Sequence, residues 1–346
     1  MIYCRIKKDI KMDLSSGNSF PVDKLRIKRF LEKDIKYKTF SKEKYFYIQQ
    51  TDKEIPYDYN KILVNVHWGQ LKLFMSEFFT FIYHLEDLEV KDILYIGAAP
   101  GDHIYVLAQL FDDFQYHLYD TQNFDSRLNE LSNVTIYKKY FDDVDLEKWE
   151  KKDRCLLISD IRTLTYNPGG MNKSSKKANE DAVWSDMKLQ QKWVEKLKPY
   201  LSLVKFRLPF AYDFVLKEGK ERCYLDGLVL RQVYNKPTSS ETRLLIKEID
   251  YKNWDILSYE QKMAFHNSKI RTLKFTNPVL EDESMIYKEK GLLNDFDSTY
   301  FCVLVMDYLK SIDEIPNQEN VYSIIDFIID NISSKGSNLL SKRAGF

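Results

Sequence analysis

The chain has little cysteine, no long apolar run, no excess of charge, and neither of the glycine patterns that most often mark a bound nucleotide. Its four cysteines, Cys4, Cys155, Cys223 and Cys302, stand far apart and form no CxxC pair. That spacing argues against a zinc knuckle or a disulfide framework and fits a reducing compartment. No stretch comes near the roughly 20 apolar residues that a membrane helix needs. The first residues, Met1-Ile-Tyr-Cys-Arg-Ile-Lys-Lys-Asp, lack the apolar segment of a signal peptide. A soluble, intracellular protein is therefore expected. Lys plus Arg and Asp plus Glu number 52 each, so any contact with nucleic acid must come from a local basic patch.

What is present is a core-forming composition, 44% hydrophobic, and many aromatic rings, with 24 Tyr and 21 Phe. Such rings fill cores, and they also stack on bases. Residues 1–60 are polar and Tyr-rich and read as an N-terminal arm. From Trp68 to His84 apolar residues recur at helical spacing (Leu71, Phe74, Met75, Phe78, Phe79, Ile82), which predicts an amphipathic helix. Strands are then predicted at Asp92–Gly97, Tyr116–Asp120, Val134–Phe141 and Cys155–Asp160. A loop follows over Thr163–Lys177, then a helix over Ala178–Leu197, and late strands at Leu201–Leu208, Gly227–Gln232 and Thr242–Ile249. Alternating strands and helices imply an α/β fold, a mixed and mostly parallel sheet with helices on both faces. The charged, helical segment after about Asn253 is expected to pack on this core. The expected layout is an arm over 1–60, a core over 61–280 and a helical extension over 281–346.

Ligands of such sheets bind beyond the carboxyl ends of the strands. There the first predicted strand runs into Gly97-Ala-Ala-Pro-Gly101, a tight turn that lets backbone approach a ligand closely. It is not GxGxxG, and it lacks the Lys-Ser/Thr that ends a phosphate loop. The second strand ends in Asp120, nineteen residues after Gly101. A carboxylate there suits a ribose diol, although a strand-end Asp also serves to cap a loop. Without a phosphate signature, this pair of features favours S-adenosylmethionine over NAD or ATP.

Four charged residues sit where a sheet or a buried helix would avoid them. Lys72 lies in the most apolar helix, Asp160 ends LLISD, Lys205 interrupts LSLVKFRL, and Glu241 opens ETRLLI. Each has a plain alternative: Lys72 snorkelling to solvent, Lys205 facing outward by alternation, Asp160 and Glu241 capping loops. Together they make a chemical proposal. A ribose hydroxyl attacks a sulfonium methyl poorly until its proton is drawn away. A lysine can take that proton only if its pKa falls well below about 10.4, and burial beside another cation lowers it. This chemistry needs no metal.

The words GQLKL, LYIGAAPGDHI, ISDIR with a GG loop, KFRLPF and SSETRLL, with the strand-end Asp120, occur in order from about Tyr45 to Pro278. In them the chain resembles the poxvirus cap-specific mRNA 2′-O-methyltransferases, which also serve as regulatory subunits of poly(A) polymerase. More broadly it is similar to 2′-O-methyltransferases of the RrmJ/FtsJ type. The resemblance implies a Rossmann-like fold binding S-adenosylmethionine, with Lys72, Asp160, Lys205 and Glu241 as catalytic tetrad and Lys205 as base. It implies that Gln70, Tyr95, Gly97, Gly101, His103, Asp120 and Arg162 line the adenosylmethionine site, with Phe141 beside the adenine. It puts Tyr57 and Phe210 around a cap guanine read by Glu260 and a second carboxylate. Tyr212 stands where the family has that carboxylate, so it is assigned to Asp213, and Gln122 stands where the family has an Arg. Capped mRNA and a poly(A) polymerase catalytic subunit are the implied partners, and host cytoplasm and virion the implied locations. Lys173, Lys176, Lys177 and Arg207 are candidates for RNA phosphates. Two other readings stay open: a non-catalytic processivity subunit, and a ribosomal or transfer RNA enzyme of the same fold.

Overall fold

The computed structural model describes residues 38–57, 62–85, 90–150, 152, 154–163, 173–276, 294–332 and 338–343. The arm before residue 38, the GG loop and the side chain of Lys173 lie outside the described residues. In chain order the elements are β1 (Ile62–His67), α1 (Gly69–His84), β2 (Asp92–Ile96), α2 (Asp102–Leu110), β3 (Gln115–Tyr119), β4 (Val134–Tyr137), α3 (Asp143–Trp149) and β5 (Cys155–Ser159). Next come α4 (Lys173–Leu197), β6 (Leu201–Phe206), α5 (Asp213–Glu218), β7 (Glu221–Leu225), β8 (Leu228–Leu230), β9 (Thr242–Ile246) and β10 (Tyr251–Asp255). The chain then forms α6 (Ile256–Phe265), α7 (Phe296–Ser311), α8 (Gln318–Asn331) and β11 (Asn338–Arg343).

Seven strands form one sheet in the order β4-β3-β2-β5-β6-β9-β8. The first five are parallel, and β9 runs antiparallel to both neighbours. The chain leaves β2 on one side for β3 and β4, then returns on the other side as β5. Loops diverge at that switch point and open a crevice beyond the strand ends.

The two-residue period of a strand divides the core in two. Ile93, Leu156, Ile158, Leu201, Leu203 and Leu245 face one cluster with α1 and α2. Leu94, Ile96, Leu157, Val204, Phe206 and Leu244 face the other, with Met187, Trp193 and Val194 of α4. Helix α1 forms because its apolar residues repeat every three to four positions, and eleven of its sixteen residues are buried. Residues of α7 and α8 join the same cluster as α1, with Phe78 and Tyr308 rings 5.4 Å apart, so the C-terminal helices share the core.

Some boundaries differ from the expected ones. β4 stops at Tyr137, short of Phe141, where its pairing with β3 ends and Lys139 N–H turns back to Tyr137 O at 2.8 Å, and a capping box of Asp142 and Asp145 then starts α3. The loop predicted to reach Lys177 is helical from Lys173. Residues 38–57 are held to the core: Ile48 N–H donates to Val229 O and Arg231 N–H to Phe46 O, both at 2.9 Å. That pairing covers part of the β8 edge, which would otherwise offer unpaired backbone groups. No helix among the described residues is long and apolar enough to cross a membrane.

Candidate active site

The same two-residue period brings the four charged residues together. Asp160 continues the face of Leu156 and Ile158, Lys205 that of Leu201 and Leu203, and Glu241 that of Leu245 read backwards along β9. Because β9 is reversed, its start lies beside the ends of β5 and β6, over the first turn of α1 where Lys72 sits. Lys205 Nζ is 2.9 Å from Asp160 Oδ1 and 3.6 Å from Glu241 Oε2, and Lys72 Nζ pairs with Glu241 Oε1. A fifth member was not anticipated. Arg243, 1% exposed, donates from Nη2 to Asp160 Oδ1, and it pairs with Lys205 in the β6–β9 register. Its charge in ETRLLI looks like an outward-facing alternate residue, yet it shares the parity of Glu241, which was the only signal available.

Three cations thus meet two carboxylates in a place nearly closed to water. Burial is the strongest influence on Lys205 and pushes its pKa down. Asp160 and Glu241 oppose that, while Arg162 and Arg243 add to it, and the net direction is downward. Burial would raise the two carboxyls, but Lys205 outweighs it with Arg243 and Lys72, so both are held below the usual range. The backbone is pinned as well. Gln190 Nε2 donates to Lys205 O at 2.9 Å, Glu241 N–H donates to Ser239 Oγ at 3.1 Å, and Asn235 Nδ2 donates to Glu241 O at 3.1 Å.

Beside this cluster β2 ends in the glycine turn. Gly97 (φ +83°) and Gly101 (φ +77°) are both left-handed. A Cβ on Gly97 would stand 3.0 Å from Ile161 N and 3.1 Å from the Asp160 carbonyl carbon, backbone that cannot swing aside. Gly97→Ala should therefore cost about 2–4 kcal/mol, from the left-handed strain and the clash together, which a shift in the denaturant midpoint would measure. The turn is tied to β3 by Gly97 N–H donating to Tyr119 O at 2.8 Å. Asp120 accepts from Ala99 N–H at 3.1 Å and from Gln122 N–H at 2.9 Å. Each oxygen of that carboxylate keeps a second lone pair for a ligand, so the loop-bracing and ribose-binding readings are compatible.

Other residues expected at the cofactor lie in the interior. Tyr95 and His103 are 1% exposed. Tyr95 OH donates to Glu77 Oε1 at 2.6 Å, and His103 Nδ1 and Gln70 Oε1 are 2.6 Å apart. Burial disfavours a charged His103, but the Glu77 carboxylate beside it prevails and its pKa is raised. Glu77, fully buried in α1, was missed by sequence, although a carboxylate inside SEFF carried the same signal as Lys72. Phe141 is 9% exposed, with Tyr119 and Trp193 rings edge-on at 5.0 and 5.7 Å. Arg162 Nη1 lies 3.6 Å from Asp186 Oδ2.

The segment after β6 is held from two sides. Buried Glu180 of α4 accepts from Arg207 Nη2 at 2.8 Å and Phe210 N–H at 2.9 Å. The Arg207 guanidinium sits 4.4 Å from the Phe210 ring centroid. Glu260 accepts from Ala211 N–H at 2.6 Å, and Ile55 N–H donates to Gln261 O at 3.4 Å. The segments carrying Tyr57 and Phe210 are therefore anchored on neighbouring residues of α6. Asp213, by contrast, is exposed in the first turn of α5. Two of the proposed phosphate contacts are engaged: Lys177 pairs with Asp181 and Glu218, and Arg207 is 8% exposed against Glu180. None of the expected site residues lines the groove of about 850 Å³ that opens between residues 47–50, β8 and β10.

A sheet with one reversed strand, and a glycine turn at its switch point, is the frame of a Rossmann-like methyltransferase. The family model described as poly A polymerase regulatory subunit matches residues 39–329, and the chain belongs to that family. A Fowlpox virus (strain NVSL) protein named cap-specific mRNA (nucleoside-2'-O-)-methyltransferase is 33% identical over 241 residues, 62% of this chain and 73% of that one. The Myxoma virus (strain Lausanne) protein of the same name is 29% identical over 252 residues, 66% of this chain and 70% of its own.

Proposed function

We propose that the chain transfers a methyl group from S-adenosylmethionine to the ribose 2′-hydroxyl of the first transcribed nucleotide of 7-methylguanosine-capped mRNA. The observation that carries the reading is Lys205, buried between Asp160 and Glu241 with Arg243 behind it. Burial pushes the pKa of a lysine so placed down and favours its neutral amine, which would accept the hydroxyl proton at Nζ. Asp160 and Glu241 orient its amine, and Lys72 holds Glu241 in place. Adenosylmethionine, when bound, supplies an electrophilic methyl group. Gly97 and Gly101, where a Cβ would fill the turn, and the strand-end Asp120 fit a nucleoside, and Arg162 would line the same site. Tyr57 and Phe210 would sandwich the cap guanine, because a cationic purine stacks well between aromatic faces. Glu260 would read its N–H groups, with Asp213 as the second carboxylate.

Labelled methyl transfer to short RNA tests this, with a methylated cap and without one. Label only on the capped RNA supports the reading, and label on neither, with cofactor still bound, sinks it. Glu260 adds a pH dependence. Burial raises its pKa, Glu180 adds to this, and the Ala211 N–H opposes it. Its carboxylate binds the N–H groups of a cationic purine most strongly when ionised, so cap affinity should hold above this raised pKa and fall as pH drops through it. Titration of 7-methylguanosine triphosphate binding should lose that limb in Glu260→Gln. The family also supports a second role, a heterodimer with a poly(A) polymerase catalytic subunit. Co-purification and lengthened tails are the expected result, and a protein that does neither lacks that role.

A further inference from the structure

The segment that follows the strand of Lys205 carries more aromatic rings than a cap sandwich uses. Phe210, Tyr212 and Phe214 alternate from the end of β6 into α5, and all three are half-buried. None of them belongs to either core cluster or packs against one. Tyr212 and Phe214 form an offset stack, with centroids 5.2 Å apart and planes at 21°. Phe210 meets Tyr212 at 5.9 Å and 62°. Cations flank the row, with Arg207 over Phe210 at 4.4 Å and Lys176 over Tyr212 at 5.2 Å. Among the described residues, no ring other than Tyr212 and no cation stacks on Phe214. Lys217, exposed in the same helix, lies three positions on and hence on the same side of it.

Three rings outside the core, one edge-on to a stacked pair and flanked by cations, have the composition of a single-strand nucleic-acid platform. Each base can add its own face to such a stack whatever its identity. A purely electrostatic surface is less well supported here, because Lys177 and Arg207 are spent on Asp181, Glu218 and Glu180.

We propose that Phe214, backed by Tyr212, is a stacking platform for a base of the transcript beyond the cap, with Lys176 and Lys217 beside its phosphates. The proposal rests on the reading of the chain as an enzyme of capped RNA, and places the RNA on the side of the cleft that follows Lys205 in sequence.

Fluorescence anisotropy of a labelled, uncapped single-stranded RNA, with 7-methylguanosine triphosphate binding measured in parallel, tests it on the full chain. Phe214→Ala should weaken RNA binding about tenfold and leave the cap analogue unaffected, while Phe214→Trp should retain RNA. The deficit of Phe214→Ala should persist at high salt, since stacking releases no counterions, whereas that of Lys176→Ala or Lys217→Ala should fade. RNA bound by Phe214→Ala as tightly as by wild type would overturn the platform. So would equal loss of RNA and cap analogue, which would put this ring in the cap pocket instead. Wild-type protein that transfers no methyl group, with Phe214→Ala still losing RNA, would defeat the enzymatic reading and leave the platform standing.

Discussion

Replacing Lys205 by alanine should lower kcat for methyl transfer by roughly 10²–10⁴-fold, the usual contribution of a positioned base, while cofactor and cap affinities stay as they are. The fold should survive, because the deletion leaves Lys72 and Arg243 facing Asp160 and Glu241, two charges against two. Lys205→Arg is the sharper variant. A guanidinium keeps the positive charge but does not give up its proton, so it should fail as badly as alanine if the lysine works as a base. It should retain most of the rate if the residue serves only as a cation. The pH profile separates the two as well. Lys205 has a depressed pKa, so its neutral form gains as pH rises through that value, and the wild-type rate should climb with pH and level off below the range of an ordinary lysine. A rate independent of pH in that range, or a Lys205→Arg enzyme with wild-type turnover, would remove the base from the mechanism.

Asp160→Asn should have the next largest effect, on stability and on that same limb. The substitution leaves Lys72, Lys205 and Arg243 with Glu241 alone. Breaking a buried ion pair from one side costs about 3–5 kcal/mol, to be read as a lowered unfolding midpoint. Of the carboxylates that hold Lys205 charged, Asp160 is the stronger, so its loss should move the acidic limb to lower pH. The plateau rate should fall too, because the 2.9 Å contact that aims the amine is gone. Arg243→Met is the counterpart with the opposite sign. Arg243 depresses the Lys205 pKa, so without it the limb should move to higher pH and the rate at neutral pH should drop. A pair of variants that shift the limb in the same direction would mean that the limb belongs to another group.

The cap side and the cofactor side differ in how they respond to sequence reading. The four residues proposed for catalysis were singled out because each carries a charge where a sheet or a buried helix would avoid one, and the structure brings their side chains together. A lysine inside an apolar strand such as LSLVKFRL, or within the buried helix GQLKLF, stands against burial costs of several kcal/mol, and it is the set of four together that points to a shared site. Glu180 gives no such sign. In α4 it stands among Lys176, Lys177 and Asp181, charges that read as a solvated face, and only the fold shows it buried at 3% exposure under Phe210. The assignment to Asp213 rested on the resemblance, in which a carboxylate stands where this chain has Tyr212, one position before Asp213. The start of α5 at that residue turns it to solvent in this structure, and Tyr212 instead joins a ring stack.

By itself the sequence determined the elements whose pattern is local. These are the amphipathic repeat of α1, the short apolar strands with their two-residue period, the glycine turn after β2, and the four misplaced charges. Tertiary structure decided everything that depends on register between distant segments. Arg243 enters the tetrad only because β9 runs backwards beside β6 and sets it against Lys205. Strand β1 pairs with β11 from the far end of the chain, and β7 with β10 in a ribbon of mostly polar residues, where neither periodicity nor propensity marks a strand. The physical reason is the same in each case. A local pattern records which face of an element avoids water, whereas partner, direction and register are set by packing among all the elements at once.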